Sequence, residues 1–246
     1  STYVSKHEGD ETVVMRNTPS DGAPRMVSTS ILVVSTATSD GLFDHAAMTP
    51  NDEYYTPGST VAIGAEGIDF SGSKSNSLPE DISFALTEEC AAIGTLENAV
   101  IDGNTASVSF VSSGLEGDVT VQMLNKGNVV GTTTFGIYAP DTLMFQSDSV
   151  NLDYEQKSNL GLQAYLAGKV VNLNENDIEW TLGDAKAGHF EGLYFVATDN
   201  YLTSVSTKIT ATLKSNTALT CEMTLNIGME PQIVIDGGDN DGLRYD

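Results

Sequence analysis

Positive charge is scarce in this sequence: 11 Lys and Arg stand against 34 Asp and Glu in 246 residues, a formal net charge of −23. Nucleic-acid binders draw affinity from Lys and Arg that neutralise phosphates, so this balance excludes a nucleic-acid partner. It excludes a polybasic membrane attachment for the same reason. No run of about 18 apolar residues exists, and the first residues lack a charged stretch followed by an apolar one. Neither a membrane-inserted segment nor a signal peptide is therefore expected here, and a chain that starts at Ser1 rather than Met is expected to be processed or cut. Cysteine is almost absent (Cys90 and Cys221), and Trp180 is the only tryptophan. Charged residues make up 18%, against roughly 25% in ordinary domains, and Ser, Thr, Asn and Gly fill the difference. That is the composition of secreted or cell-surface β-rich modules, kept soluble and monomeric by their acidity.

The acidity is uneven. Residues 1–37 carry a net −1, residues 38–139 a net −12, residues 140–230 a net −7 and residues 231–246 a net −3. The near-neutral head is thus a different piece of protein from the acidic remainder.

Short runs rich in Val, Ile, Thr, Phe and Tyr, bounded by Gly, Asn, Asp or Pro, predict an all-β fold. Examples are Ser30–Ser35, Ser59–Ala65, Ala106–Val111, Val119–Leu124, Thr132–Tyr138 and Thr207–Leu213. In Val119–Leu124 the apolar Val119, Val121 and Met123 alternate with Thr120, Gln122 and Leu124. Only Thr87–Ala92 hints at helix, and it is too short to stand alone.

An internal repeat carries the domain organisation. Asp81–Leu86 (DISFAL) matches Asp177–Leu182 (DIEWTL), and each copy continues through an acidic, Ala-containing bend to a glycine, Gly94 or Gly188. Each then runs through further strands and closes on a proline, Pro140 or Pro231, where the missing N–H ends a strand. A period of roughly 90–100 residues is one immunoglobulin-sized sandwich. The expected organisation is a short N-terminal β segment (1–37), two tandem Ig-like β-sandwiches (38–139 and 140–230) and an acidic linker or start of a further module (231–246). Trp180 aligns with Phe84 and alternates with Ile178 and Leu182, which predicts a core ring rather than a sugar-stacking platform. Cys90 and Cys221 fall at non-equivalent positions of different repeats, so both are expected to be free thiols acting as small hydrophobes.

The second copy, with DIEWTL, a Gly-Asp-Ala turn and a Gly-flanked Phe, resembles bacterial Ig-like domains. The head resembles something more specific. Ser1–Ser5, then Arg16–Asn17 through Ser20-Asp21-Gly22 and Arg25–Val34, is similar to the last stretch of a bacterial phosphodiester glycosidase domain of the N-acetylglucosamine-1-phosphodiester α-N-acetylglucosaminidase kind. Bacterial members of that family carry an Asp-Gly-Gly-Gly-Ser segment ending in Ser-Thr, then closing strands of the pattern seen here, and secreted members continue into Ig-like repeats. The Asp-Gly-Gly-Gly portion is not in this sequence. The resemblance therefore implies a glycosidase parent, while no catalysis is expected of this chain; Arg25 is the one residue of the head that a phosphate-facing site would use, or else a structural strand-end Arg. Residues 1–37 are expected to dock on the first sandwich, because SILVVS would otherwise present an unpaired strand edge.

No catalytic constellation stands out. His7, His45 and His189 are scattered with no His or Cys at metal-ligand spacing, and carboxylate pairs such as Asp52/Glu53, Glu80/Asp81 and Glu88/Glu89 are adjacent residues that point apart on a strand. Two binding signals remain. Asp236, Asp239 and Asp241, in a Gly-rich run, offer the hard oxygens that calcium prefers, or else belong to a solvated linker. Tyr54, Tyr55 and Tyr201, among carboxylates and amides at predicted loops, suit stacking on sugars and hydrogen bonding to hydroxyls. The expectation is a non-catalytic accessory region of a secreted bacterial carbohydrate-active protein that binds polysaccharide, neutral rather than acidic given the charge. The alternative is a spacer with no ligand, and a third reading is phosphodiester or glycoside hydrolysis.

Overall fold

The computed structural model of the chain describes residues 9–17, 25–33, 41–200 and 204–228, with the backbone alone for the first two stretches. The fold is all-β, as the sequence predicts. In the head, β1 (Gly9–Asn17) pairs antiparallel with β2 (Arg25–Val33), from Gly9↔Val33 to Asn17↔Arg25. The expected docking of the head turns on side chains that lie outside the described residues.

The chain divides into two compact units. The first holds the described residues up to Glu53 and Pro57–Ile137; the second holds Tyr54–Thr56 and the described residues from Tyr138. In chain order, the first unit contains β3 (Phe43–Thr49), and β4 (Tyr54–Tyr55) comes next, in the second. The first then continues with β5 (Thr60–Asp69), β6 (Ile82–Leu86), β7 (Gly94–Asp102), β8 (Thr105–Ser112), β9 (Gly117–Asn125) and β10 (Asn128–Ile137). One antiparallel sheet runs β3-β5-β8-β7 and the other runs β10-β9-β6. The period-2 alternation of β5, β8 and β9 sends Val61, Ile63, Val108, Phe110, Val119, Val121 and Met123 inward, all buried. Phe110 of one sheet meets Phe135 of the other edge-on at 5.3 Å. Each such side chain contributes about 1.5–3 kcal/mol by leaving water.

A buried carboxylate and a broken edge strand distinguish this unit. Where β5 ends, the buried Asp69 ties a loop together: its Oδ1 accepts from the Ser71 amide (2.8 Å), the Ser71 hydroxyl (2.6 Å) and the Ser73 amide (2.9 Å), and its Oδ2 from the Gly41 amide (2.9 Å). These donors hold its carboxyl at about 2, well below the ordinary carboxylate range, with the Ser71 hydroxyl the largest cause. At the sheet edge, β7 is interrupted by a bulge between Glu97 and Val100, with Asn98 at φ 56°, and beyond it Val100 and Ile101 are exposed.

The second unit contains β11 (Thr142–Phe145), β12 (Ser149–Leu152), β13 (Lys157–Asn159), β14 (Leu162–Leu166) and β15 (Lys169–Asn172). After these come β16 (Ile178–Leu182), β17 (Gly188–Glu191), β18 (Tyr194–Ala197), β19 (Val205–Leu213) and β20 (Thr220–Ile227). Its strands pair as β12-β20-β19-β16, as β13-β18-β17, and as β11-β14-β15-β4. The repeat is visible strand by strand. β6 and β16 each lead through a three-residue 3-10 turn, Glu88–Cys90 or Ala185–Ala187, into the glycine that opens β7 or β17. The helical hint in Thr87–Ala92 is that turn. In each turn the third residue is buried, Cys90 in one and Ala187 in the other, and its amide donates to the residue before the turn. Cys90 is thus the counterpart of an alanine. Its sulfur accepts from the Thr120 amide (3.2 Å) and donates to the Asp118 carbonyl (3.3 Å), and both cysteines are free.

Trp180 is a packing residue. It stacks on Phe190 at 4.2 Å with planes 7° apart, lies 6.3 Å from Phe145, and donates its indole N–H to the Gly192 carbonyl at 3.1 Å. Phe190 in turn meets the fully buried Phe195 edge-on at 5.1 Å.

Candidate functional site

Two of the three tyrosines singled out in the sequence are described. Tyr54 packs half-buried against the core of the second unit, 5.0 Å from Tyr138 at 59°, with the Lys169 ammonium 3.8 Å from its ring centre. A cation over the ring takes one of the two faces on which a sugar would stack. Tyr55, the next residue of β4, is half-buried too, and its carbonyl accepts from the Tyr138 amide at 2.9 Å. Tyr201 lies outside the described residues, as do Asp236, Asp239 and Asp241, the calcium candidates. Among the described residues no group of three or more His, Cys, Asp or Glu is placed to hold a metal ion.

The structure brings forward another tyrosine. On β18, Phe195 and Ala197 are buried, so the strand's alternation turns Tyr194 and Val196 outward, and Tyr194 is 46% exposed. The neighbouring strands add polar groups to the same face. His189 and Glu191 of β17 pair with Val196 and Tyr194, and Lys157 and Asn159 of β13 pair with the same two residues from the other side. Glu191 organises this face: one carboxylate oxygen takes the Lys157 ammonium at 2.6 Å and the other faces the His189 ring at 3.6 Å. Lys157 chiefly, with His189, holds the Glu191 carboxyl below its usual range. The Lys157 ammonium also stands 5.3 Å from the centre of the Tyr194 ring.

The face runs into a pocket. A cleft of about 450 Å³, lined by Glu155, Lys186, His189, Val196, Thr198 and Asp199, opens where β18 ends. It shares His189 and Val196 with the sheet face. An exposed ring beside carboxylates, an ammonium, an imidazole and a hydroxyl is an arrangement that can stack on one face of a sugar and bond its hydroxyls. The alternation Tyr194-Phe195-Val196-Ala197 is the sequence signal that marks Tyr194. Tyr201, one of the sequence candidates, comes two positions after the pocket residue Asp199.

No protein-family model matches the sequence, and no curated protein matches it. Among solved structures the chain is similar to the Escherichia coli adhesin FdeC, at 13% identity over 89% of this chain and 74% of that one, with a TM-score of 0.35. It is similar to domains 5–6 of the S-layer protein SbsC, at 14% identity over 75% of this chain and 97% of that one, TM-score 0.36. A third is SGBP-B of the Bacteroides ovatus mixed-linkage glucan utilization locus, solved with a mixed-linkage heptasaccharide, at 12% identity over 89% of this chain and 53% of that one, TM-score 0.33. The assignment of the all-β fold rests on the chain's own strand pairing.

Proposed function

We propose that this chain is a non-catalytic accessory region of a secreted or cell-surface bacterial carbohydrate-active protein, and that its second sandwich contacts a neutral polysaccharide. The observation that carries this reading is the exposed Tyr194 ring set in a polar face that leads into the Glu155–Asp199 cleft. The charge favours a neutral polymer, since a net −23 repels acidic glycans at long range. The head is read as the closing hairpin of a phosphodiester-glycosidase-like domain; the antiparallel pairing of β1 with β2 supports it. The coding sequence preceding Ser1 tests that reading, and one without an Asp-Gly-Gly-Gly segment overturns it.

One observation favours the spacer reading. Among the described residues the exposed aromatics are Phe70 and Tyr194, one in each unit, whereas extended polymers are gripped best by two or more rings side by side. Affinity gel electrophoresis against neutral and acidic polysaccharides separates the two. The expected result is retardation on a neutral polymer that Tyr194→Ala abolishes with the thermal midpoint unchanged. Retardation on none of them leaves the spacer.

A further inference from the structure

The second unit is assembled from two stretches of chain, and the shorter is only three residues long. Tyr54–Tyr55 lies parallel to β15, with Tyr54 opposite Val171 and Tyr55 opposite Asn172. Thr56 continues the line: its amide donates to the Asn172 carbonyl at 3.3 Å, and its hydroxyl donates to Asp177 Oδ2 at 2.5 Å. The same carboxylate oxygen takes the Asn174 amide at 2.6 Å. Thr56 is only 3% exposed. On the same face of the strand, Tyr54 fills the space between Tyr138 and the Lys169 ammonium. A hydrogen bond to a carboxylate is stronger than one between neutral groups. Three residues thus carry main-chain bonds, a charge-assisted bond and a ring contact.

The repeat supplies an internal comparison. Asp81 is the counterpart of Asp177 at the start of the matching motif. Both use their carbonyl alike, Asp81 accepting from the Lys126 amide and Asp177 from the Lys214 amide. Their carboxylates differ: that of Asp81 is 64% exposed and faces the Lys126 ammonium at 3.7 Å, whereas that of Asp177 holds Thr56. The motif in the second copy has been turned to seating an incoming strand.

We infer that the edge of β15, with Asp177 and Lys169, is an acceptor site for a short extended segment bearing an aromatic and a threonine two residues apart, and that Tyr54–Thr56 fills it in cis. The stability of the second sandwich then depends on residues that lie within the sequence of the first. Substitution there weakens the second unit and spares the first.

The full chain tests this. Trp180 is the only tryptophan and belongs to the second unit, so its fluorescence during denaturant unfolding reports that unit alone. Hydrogen exchange by mass spectrometry reads both units in the same sample. Thr56→Val keeps shape and removes the bond to Asp177; Tyr54→Ala removes the ring. Each is expected to lower the Trp180 midpoint and to speed exchange about tenfold across residues 169–182, with residues 105–125 unchanged. If Tyr54→Ala fails to fold, the near-isosteric Thr56→Val still decides. Exchange quickened in 105–125, alone or as much as in 169–182, overturns the inference, as does a Thr56→Val protein with the wild-type Trp180 midpoint and wild-type exchange.

Discussion

Phe110 and Phe195 hold equivalent places in the two sandwiches: each lays its ring over the glycine that opens the preceding strand. Gly94 pairs with Ser112 and Gly188 with Ala197, and in both hairpins the phenylalanine stands two residues before the glycine's partner. A Cβ on Gly94 would lie 2.4 Å from Phe110 Cζ and from the Val111 carbonyl oxygen; one on Gly188 would lie 2.9 Å from Phe195 Cζ and 2.1 Å from the Val196 carbonyl oxygen. Strand entry and core ring have been kept together as a set, which places the repeat in the cores of the two units as well as in their turns.

Gly94→Ala and Gly188→Ala are therefore each expected to destabilise their own unit, by about 2 kcal/mol or more for overpacking against backbone. Gly188→Ala should cost the more, since Gly188 sits at φ 145°, where an L side chain is strained. The Trp180 unfolding midpoint should fall for Gly188→Ala and hold for Gly94→Ala, while hydrogen exchange in residues 105–125 responds the other way round.

Asp69 sets an acid limit on the first unit. Its folded carboxyl titrates at about 2, below the ordinary 3.8, so the stabilisation from the ionised form is complete above about pH 4 and is lost as pH falls towards 2. Thermal midpoints measured from pH 5 to pH 2 should fall more steeply for the wild type than for Asp69→Asn, with the two curves converging at the acid end. Parallel curves would show that the loop around Ser71 and Ser73 draws nothing from the charge.

Neither thiol is poised to react in the folded chain. Burial pushes the Cys221 thiol up to about 11, and Cys90 is enclosed by Thr120 and Asp118. Iodoacetamide at pH 8 should leave both unmodified in native protein over a time in which it alkylates both in denaturant, as read by intact mass.

The fold class, the repeat and the core role of Trp180 were legible because their signals are local. Alternation in Val119–Leu124 and the shared DI-x-aromatic-x-L pattern need no knowledge of partners further along the chain. Pairing over long distances was not legible. Tyr54 meets Val171 and Thr56 meets Asp177 across more than a hundred residues, and nothing near Asn51–Gly58 marks that stretch as a strand of the later sandwich. The tyrosines there read as loop residues for that reason. Tyr194 was within reach of the same alternation argument, but it lies in a short strand flanked by Gly192 and Asp199, where turn residues dominate the pattern. The Gly94–Phe110 and Gly188–Phe195 sets were half visible: the glycines were matched, while the rings that require them sit at different spacings downstream.

The bulge in β7 has a bearing on how such modules live side by side. Sandwiches strung in one chain, or crowded on one surface, meet copies of themselves at an effective concentration far above that of free proteins. An edge strand that exposes Val100 and Ile101 is the place where like would template like. By breaking the ladder between Glu97 and Val100, the bulge leaves an approaching strand no continuous register to pair with. Crowding then raises the number of encounters without raising the number that nucleate a shared sheet.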